Sequence, residues 1–336
     1  MIRKLLDSKQ NNKQVWFLRQ AGRYLPEYRS IRKKKKNFLD FCFDKNSVVE
    51  ATLQPIKRFD LDAAIIFSDI LVVPYVLNRK ISFIEGFGPR LEPLKLGDEK
   101  KLNINREKQN VLFNTYDSIR ETRKKLNKNK SLIGFCGGPW TVACYIIDGN
   151  SKGGFADSKH WLKKHNSNLQ ILINILIDQS VEHLYQQYLH GCDTLMIFES
   201  WAKLVPKEFM NDFIFFPSQQ IIKLLRNRGV DATFIAFPRG LSESVLEYDD
   251  FVKPDIISLD QDIDMMWAVK NFNKNKVLQG NICPDKLLDG KLSLYKEIEK
   301  LKECVLERSH IFNTGHGILP KTNPETLKKV IEYLRG

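Results

Sequence analysis

What the chain lacks narrows it first. No run of 18 or more apolar residues occurs, so no membrane-spanning helix is expected. The opening MIRKLLDSKQNNKQ has no apolar signal core and no cleavage site, which points to a cytoplasmic protein. Six cysteines stand at positions 42, 136, 144, 192, 283 and 304 with no C-x-x-C pair among them, so reduced thiols are expected, with neither a disulfide framework nor a four-cysteine zinc site. H-E-x-x-H is absent, and so is the G-x-S-x-G of a nucleophile elbow. Gly137-Gly138 has no lysine at phosphate-loop spacing after it. No linker, composition break or internal repeat divides the 336 residues, so one domain spanning 1–336 is expected.

Acidic residues are in deficit as well. Forty Asp and Glu face 53 Lys and Arg, a formal charge of +13 that favours anionic partners. Part of this excess lies in runs such as RKKKKN (32–37) and KLNKNK (125–130), which read as solvated faces or loops. No recognised module and no interleaved aromatics accompany them, so no nucleic-acid partner is expected.

What is present is a rhythm. Eight short apolar runs each end in a polar or glycine cluster: Val15–Leu18 before RQAGR, Ala63–Phe67 before Ser68-Asp69, Leu132–Cys136 before GGPW, Leu195–Phe198 before Glu199-Ser200, Thr233–Phe237 before PRG, Ile256–Leu259 before Asp260, Val277-Leu278 before QGN, and Ile311-Phe312 before NTGHG. Short, continuously apolar runs suit parallel strands buried on both faces. Helical spacing fills the intervals, most clearly from His160 to His190 and from Pro217 to a C′ stop at Gly229. Eight strands alternating with helices predict one (β/α)₈ TIM-type barrel, somewhat distorted, in which chemistry gathers at the carboxyl ends of the strands.

The polar clusters stand at those ends. RQAGRYLPEYR packs three arginines into eleven residues, and Arg19 and Arg23 follow the first strand directly. A guanidinium is a rigid fork of donors suited to carboxylate or phosphate. Arg29 reads as a helix-face residue in an ion pair. Asp69, flanked by AAIIFS and ILVVP, is a carboxylate in apolar surroundings, and such a group needs partners. An arginine, a helix N-cap role, or the N–H groups of a ligand would each supply them. Pro139 opens a helix that carries Trp140 and Tyr145, both of which also fit core packing. DGNSKGG (148–154) reads as a mobile loop or lid. Ser200 reads as a hydrogen-bonding residue. His316 sits between glycines that allow close approach of a ligand. The His190/Cys192 pair precedes the fourth strand, at the wrong end of a barrel for a catalytic zinc.

Together VWFLRQAGRYLPEYRSIR, LQPIKRFDLDAAIIFSDILVVP, GFCGGPWTVACYIIDG, IFESWA, LQGN and IFNTGHGILP resemble the uroporphyrinogen decarboxylase family, in family order, from about Val15 to Pro320. The resemblance implies a single (β/α)₈ barrel, a homodimer with facing clefts, and a reaction in haem biosynthesis with no cofactor and no metal. In that reaction the four acetate side chains of uroporphyrinogen III lose their carboxyl groups to give coproporphyrinogen III. It implies that Arg19, Arg23 and Arg32 bind substrate carboxylates, that Asp69 accepts from the pyrrole N–H groups, and that Tyr145, Ser200 and His316 complete the site. It makes Arg19 a candidate proton donor, with His316 and a water as rivals, because a guanidinium gives up its proton only under strong perturbation. The chain departs from the family at NNKQVWFL, at Cys283, and at Lys203, where glycine is common. A zinc methyltransferase on the same fold is the alternative, but its His-x-Cys pair at a strand end is missing here, where the fifth strand runs into FPRG.

Overall fold

Strands buried on both faces have nowhere to put polar side chains, so their runs are apolar and short. The computed structural model describes residues 2–7, 12–84 and 88–336. Within them lie β1 (Lys13–Val15), β2 (Ala63–Ile65), β3 (Ser131–Gly137), β4 (Thr194–Glu199), β5 (Thr233–Pro238), β6 (Ile256–Ser258), β7 (Val277–Ile282) and β8 (His310–Thr314). They form one eight-stranded sheet in the order β1-β8-β7-β6-β5-β4-β3-β2, with every pair parallel.

The junction left over is β1 with β2, and side chains close it. The Asp62 N–H donates to the Val15 carbonyl (2.9 Å) while its Oδ2 accepts from the Val15 N–H (2.7 Å). The buried Gln20 amide brackets β2: Oε1 accepts from the Ile65 N–H (3.3 Å) and Nε2 donates to the Ala63 carbonyl. An amide of this length reproduces one rung of a ladder, so the barrel is closed but irregular at the seam.

Interior and exterior residues alternate along the strands. Ala63, Ile65, Ile133, Met196, Phe198, Ile235, Phe237, Ile256, Val277 and Ile311 fill the lumen with Trp16, and Ile2 and Leu5 from the amino terminus join the same cluster. The Trp16 indole N–H donates to Gln279 Oε1 (3.0 Å), which meets the need of a polar tip in a sealed interior. A second, larger cluster lies between barrel and helices. Each fully buried aliphatic or aromatic side chain in either layer contributes roughly 1.5–3 kcal/mol.

The amino-terminal rim repeats one device. Asp62, Asp193 and Asp255 each stand one residue before a strand. Each exchanges two hydrogen bonds with a residue of another strand, through its own N–H and its Oδ2: Asp62 with Val15, Asp193 with Leu132 (3.1 and 3.0 Å) and Asp255 with Phe234 (3.0 and 2.7 Å). Each is also held by an arginine, Arg335, Arg123 and Arg226 respectively.

All eight expected runs coincide with or adjoin strands, with two corrections among the elements. The first strand is Lys13–Val15 rather than Val15–Leu18, because the Trp16 N–H makes one further bond, to the Phe312 carbonyl (3.2 Å), and the Leu18 N–H then turns to the Asn313 side chain. The helix expected from His160 to His190 is two helices, Ala156–Lys164 and Asn166–Leu189, which break at His165, where φ is −133° and ψ 43°. Helix Phe216–Asn227 ends at Arg228, and Gly229 follows with φ +78°, as the C′ reading required. A hairpin of Ile81–Ile84 with Gly88–Leu91 lies outside the barrel sheet. Among the described residues, no helix is long and apolar enough to cross a membrane.

Candidate active site

The loop after β1 is stitched to both of its neighbours, and that fixes its arginines. The Leu18 N–H donates to Asn313 Oδ1 (2.8 Å), and the Leu18 carbonyl accepts from Thr314 Oγ1 (3.1 Å) and the Ile318 N–H (2.8 Å). Gln20 grips β2, and the Tyr24 hydroxyl donates to the Gln20 carbonyl (2.7 Å). The stem of Arg19 lies on Gly317, where a Cβ would sit 3.2 Å from Cγ and 3.3 Å from Cδ and Nε. A side chain there would push the guanidinium off the last loop. Arg29 has no carboxylate partner among the described residues. Its Nη1 donates to the carbonyls of Arg23 (2.7 Å) and Tyr24 (3.1 Å). The expected ion pair is therefore replaced by a brace that shapes the turn carrying Arg23. Arg32 is half-buried on helix Pro26–Lys33 and donates to the Lys35 carbonyl (3.0 Å).

Asp69 follows β2 on a segment anchored from below, where the Phe67 N–H donates to Thr52 Oγ1 (3.0 Å). One carboxylate oxygen, Oδ1, accepts from the Leu71 N–H (2.9 Å). Among the described residues, Oδ2 has no donor and Asp69 has no ion pair. Burial pushes its pKa above the usual carboxylate range, against the Leu71 N–H and the Arg19 guanidinium. The carboxylate is therefore half-buried, half-satisfied and within the field of Arg19.

Helix Pro139–Asp148 carries Tyr145 toward the same space. Its amino terminus is capped by Glu199, the fully buried last residue of β4, whose Oε1 accepts from the Thr141 N–H (2.7 Å) and hydroxyl. The Thr141 hydroxyl oxygen also accepts from the Trp201 N–H (3.1 Å). Ser200, half-buried between Glu199 and Trp201, is thus held on both sides. Gly138 makes this cap possible, since a Cβ would stand 2.6 Å from Glu199 Cδ. Burial raises the Glu199 carboxyl to about 8, opposed by the Thr141 and Trp140 donors. The Tyr145 ring packs on Phe155 with centroids 5.3 Å apart. Burial raises its hydroxyl pKa; Trp201 and Ser151 beside the hydroxyl and the charge of Arg19 oppose this, while Asp69 reinforces it. Tyr145 is accordingly a neutral donor. The 148–154 loop is tied at its base, because the Asp148 carboxylate accepts from the Asp157 and Ser158 N–H groups (3.0 and 2.9 Å).

His316 closes the ring of loops after β8. Burial, then the charges of Arg239, Arg19 and Lys203, lower its pKa to about 4, so the imidazole is neutral near pH 7. Its Nδ1 is buried without a hydrogen-bond partner. On the other flank the buried Tyr28 hydroxyl is under the fields of Arg32, Arg23 and Arg19. Between them, the buried Cys42 thiol is raised well above its ordinary value by burial and by Asp69, against Arg32. Arg19, Arg23, Arg32, Asp69, Tyr145 and His316 thus share one electrostatic neighbourhood, and Ser200 stands at the neighbouring strand end. Several supports escaped sequence reasoning: Gln20, Asn313, Thr141 and the capping role of Glu199. Glu199 did carry a signal, a carboxylate closing a wholly apolar strand. Among the described residues, no cluster of three or more His, Cys, Asp or Glu is placed to hold a metal ion.

A parallel eight-stranded barrel with alternating helices, whose unpaired ionisable groups collect where the strands end, defines a TIM-barrel protein. Comparison narrows the class. The chain matches the uroporphyrinogen decarboxylase (URO-D) family profile over residues 1–336. It is 39% identical to uroporphyrinogen decarboxylase of Rickettsia felis over 324 residues, 96% of this chain and 92% of that one. It is also 39% identical to that of Orientia tsutsugamushi over 340 residues, 100% and 98% of the two chains. This chain belongs to the uroporphyrinogen decarboxylase family. Among solved structures, a methyltransferase from Methanosarcina mazei shares the fold, with TM-score 0.80 at 16% identity over 99% of this chain and 97% of that one.

Proposed function

We propose that this protein decarboxylates the four acetate side chains of uroporphyrinogen III, giving coproporphyrinogen III in haem biosynthesis. The observation that carries this reading is Asp69: a half-buried carboxylate with one oxygen unpaired, beside arginines that lack carboxylates of their own. Such a centre suits a substrate with N–H donors in the middle and carboxylates around the edge.

The chemistry follows from where electrons can go. An acetate loses CO₂ only if the C–C bonding pair has a sink. Protonation of a pyrrole ring carbon makes the ring that sink. As CO₂ leaves, the pair flows into the cationic ring and yields a neutral exocyclic methylene. The methylene carbon then takes a proton and the ring carbon returns one, so each cycle consumes one proton and leaves a methyl group. Asp69 accepts the pyrrole N–H bonds and stabilises the cation in surroundings of low dielectric. Arg19, Arg23 and Arg32 hold carboxylates that are not reacting, and Tyr145 and Ser200 donate hydrogen bonds to the same substrate. Arg19 remains the candidate donor of the first proton, with His316 and a water as rivals. A homodimer with facing clefts and a lid at 148–154 belong to the same reading; family membership supports the dimer, and the glycine-rich sequence supports the lid.

The test is anaerobic incubation with uroporphyrinogen III, nothing else added, and separation of the products by carboxyl number. Stepwise loss of four carboxyl groups is expected. Recovery of unchanged substrate from folded protein would overturn the proposal.

A further inference from the structure

The arginine loop after β1 lies on one flank of Asp69, and a macrocycle with carboxylates around its perimeter cannot be oriented from one edge. On the opposite flank, two cations leave adjacent strand ends. Lys203 follows β4 and Arg239 follows β5, and these strands pair in register up to Glu199 with Pro238. The Arg239 N–H donates to the Glu199 carbonyl (3.1 Å), which ties the two turns together. Gly240, with φ +81°, gives the Lys203 stem its place, since a Cβ there would stand 2.7 Å from Lys203 Cβ. Asp260, which follows β6, meets this turn already engaged: it accepts from the Gly240 N–H (2.6 Å) and the Asp262 N–H (3.0 Å). Among the described residues, neither Lys203 nor Arg239 forms an ion pair, unlike Lys207, which pairs with Glu247 (3.2 Å) on the same two connections. Both cations act on His316 together with Arg19.

We propose that Arg239 and Lys203 form a second carboxylate clamp, opposite Arg23 and Arg32, that holds non-reacting side chains on the substrate edge nearest His316. Arg19 lies within the field of both flanks and serves either. Unpaired cations collected beside a half-buried imidazole repel one another and persist only where something else favours them. A bound dicarboxylate edge neutralises them, and water solvates them between turnovers. Two-sided holding also limits pivoting, so that each acetate meets Asp69 in a defined orientation. The inference rests on the proposed function for the identity of the ligand.

The test uses the full chain with Arg239→Gln, Lys203→Gln and Arg239→Lys. KM for uroporphyrinogen III and the inhibition constant of coproporphyrinogen, which carries only the carboxylates that do not react, are measured for each. For Arg239→Gln both constants are expected to rise on the order of tenfold, the loss of one charge-assisted contact, while kcat stays within about twofold. Lys203→Gln gives a smaller rise, and Arg239→Lys restores part of the loss. The exposed Lys203 tests the clamp independently of folding at Arg239. Unchanged KM and inhibition constants overturn the clamp, and so does a fall in kcat with KM unmoved, which would mark a role in the reaction step instead. Wild-type protein that leaves uroporphyrinogen unconverted but binds coproporphyrinogen, less tightly in the variants, would remove the proposed reaction and keep the clamp.

Discussion

At the amino-terminal rim Asp62, Asp193 and Asp255 have their arginines, and each also closes a two-bond exchange with a strand of the barrel. At the carboxyl rim Arg19, Arg23, Lys203 and Arg239 have no acid partner among the described residues, and Asp69 has no base. The same residue types therefore serve two purposes. Where every donor meets an acceptor, the groups hold strands in place and nothing is left over for a ligand. Where charges of both signs lie in one cleft without pairing, the field stays available to a ligand that brings the complements. The unpaired arrangement costs stability, and the satisfied rim at the other end of the same strands offsets it.

The comparison breaks most readily at Asp69. Asp69→Asn is expected to lower kcat by on the order of 10²–10³ or more, the usual loss when an electrostatic stabiliser is removed. Asp69→Glu keeps part of the activity. Because burial disfavours the charged form at this position, the amide should not lower the thermal midpoint. Steady-state rates and thermal unfolding of the same preparations check both halves. Wild-type turnover by the Asn variant would end the cation-stabilising role.

Acidification sharpens the contrast between the mouth and the helical layer. Burial lowers the pKa of His183, on helix Asn166–Leu189, to about 4, and its Nδ1 lies 3.0 Å from the Tyr116 hydroxyl. An unfolded histidine takes up its proton near 6.5, and this one in the fold does so only near 4. Between those values the unfolded chain binds more protons, so stability is complete above about pH 6.5 and is lost as the pH falls toward 4. For His183 the loss is about 3 kcal/mol. His316 changes in the same direction, but bound carboxylates should raise its pKa and shrink its share. Denaturant titrations from pH 7.5 to 4.5, with and without coproporphyrinogen, should show an acid-sensitive slope that the ligand only partly removes. A flat profile would contradict the buried neutral state of His183.

The satisfied rim gives the next effect in size. Asp193→Ala strands the Leu132 N–H and removes the carboxylate beside Arg123, whose guanidinium keeps the carbonyls of Leu126, Asn127 and Lys130. A cost of about 1–3 kcal/mol in unfolding free energy is expected, with kcat and KM unchanged. If instead kcat moved while stability did not, the two rims would not be separable in the way drawn above.

Much of this architecture could be read in advance because parallel barrel strands are buried on both sides and advertise it as apolar runs. Seven runs marked their strands for that reason. The first misled, since Trp16, Phe17 and Leu18 are as apolar as any strand while the backbone leaves the ladder after the Trp16 N–H, and Leu18 is held by Asn313 and Thr314 from the far end of the chain. Contacts nearly 300 residues apart in sequence leave no local trace. The break at His165 was equally silent, because the residues on either side keep helical spacing. Of the site, Arg19, Arg23 and Asp69 stood out as charges against apolar neighbours. Arg239 and Lys203 did not. What makes them notable is the absence of a partner, and that depends on closing the barrel.

The smallest expected effect is at His316, and it decides between binding and proton donation. Its imidazole is neutral at rest, since burial and three nearby cations hold its pKa to about 4. A neutral imidazole is a good hydrogen-bond partner for a carboxyl group and a weak acid toward a pyrrole carbon. His316→Asn keeps hydrogen-bonding capacity in a similar volume, so KM should rise several-fold and kcat should fall by no more than about tenfold, within the loss of one contact. Substrate carboxylates would neutralise the cations and raise the histidine's pKa in the complex. The pH dependence of kcat distinguishes the two roles, because it reports groups in the bound state. If His316 only binds, the alkaline limb of that profile persists in His316→Asn. Loss of all turnover with substrate affinity intact, together with loss of that limb, would make His316 the acid and leave Arg19 as a carboxylate binder alone.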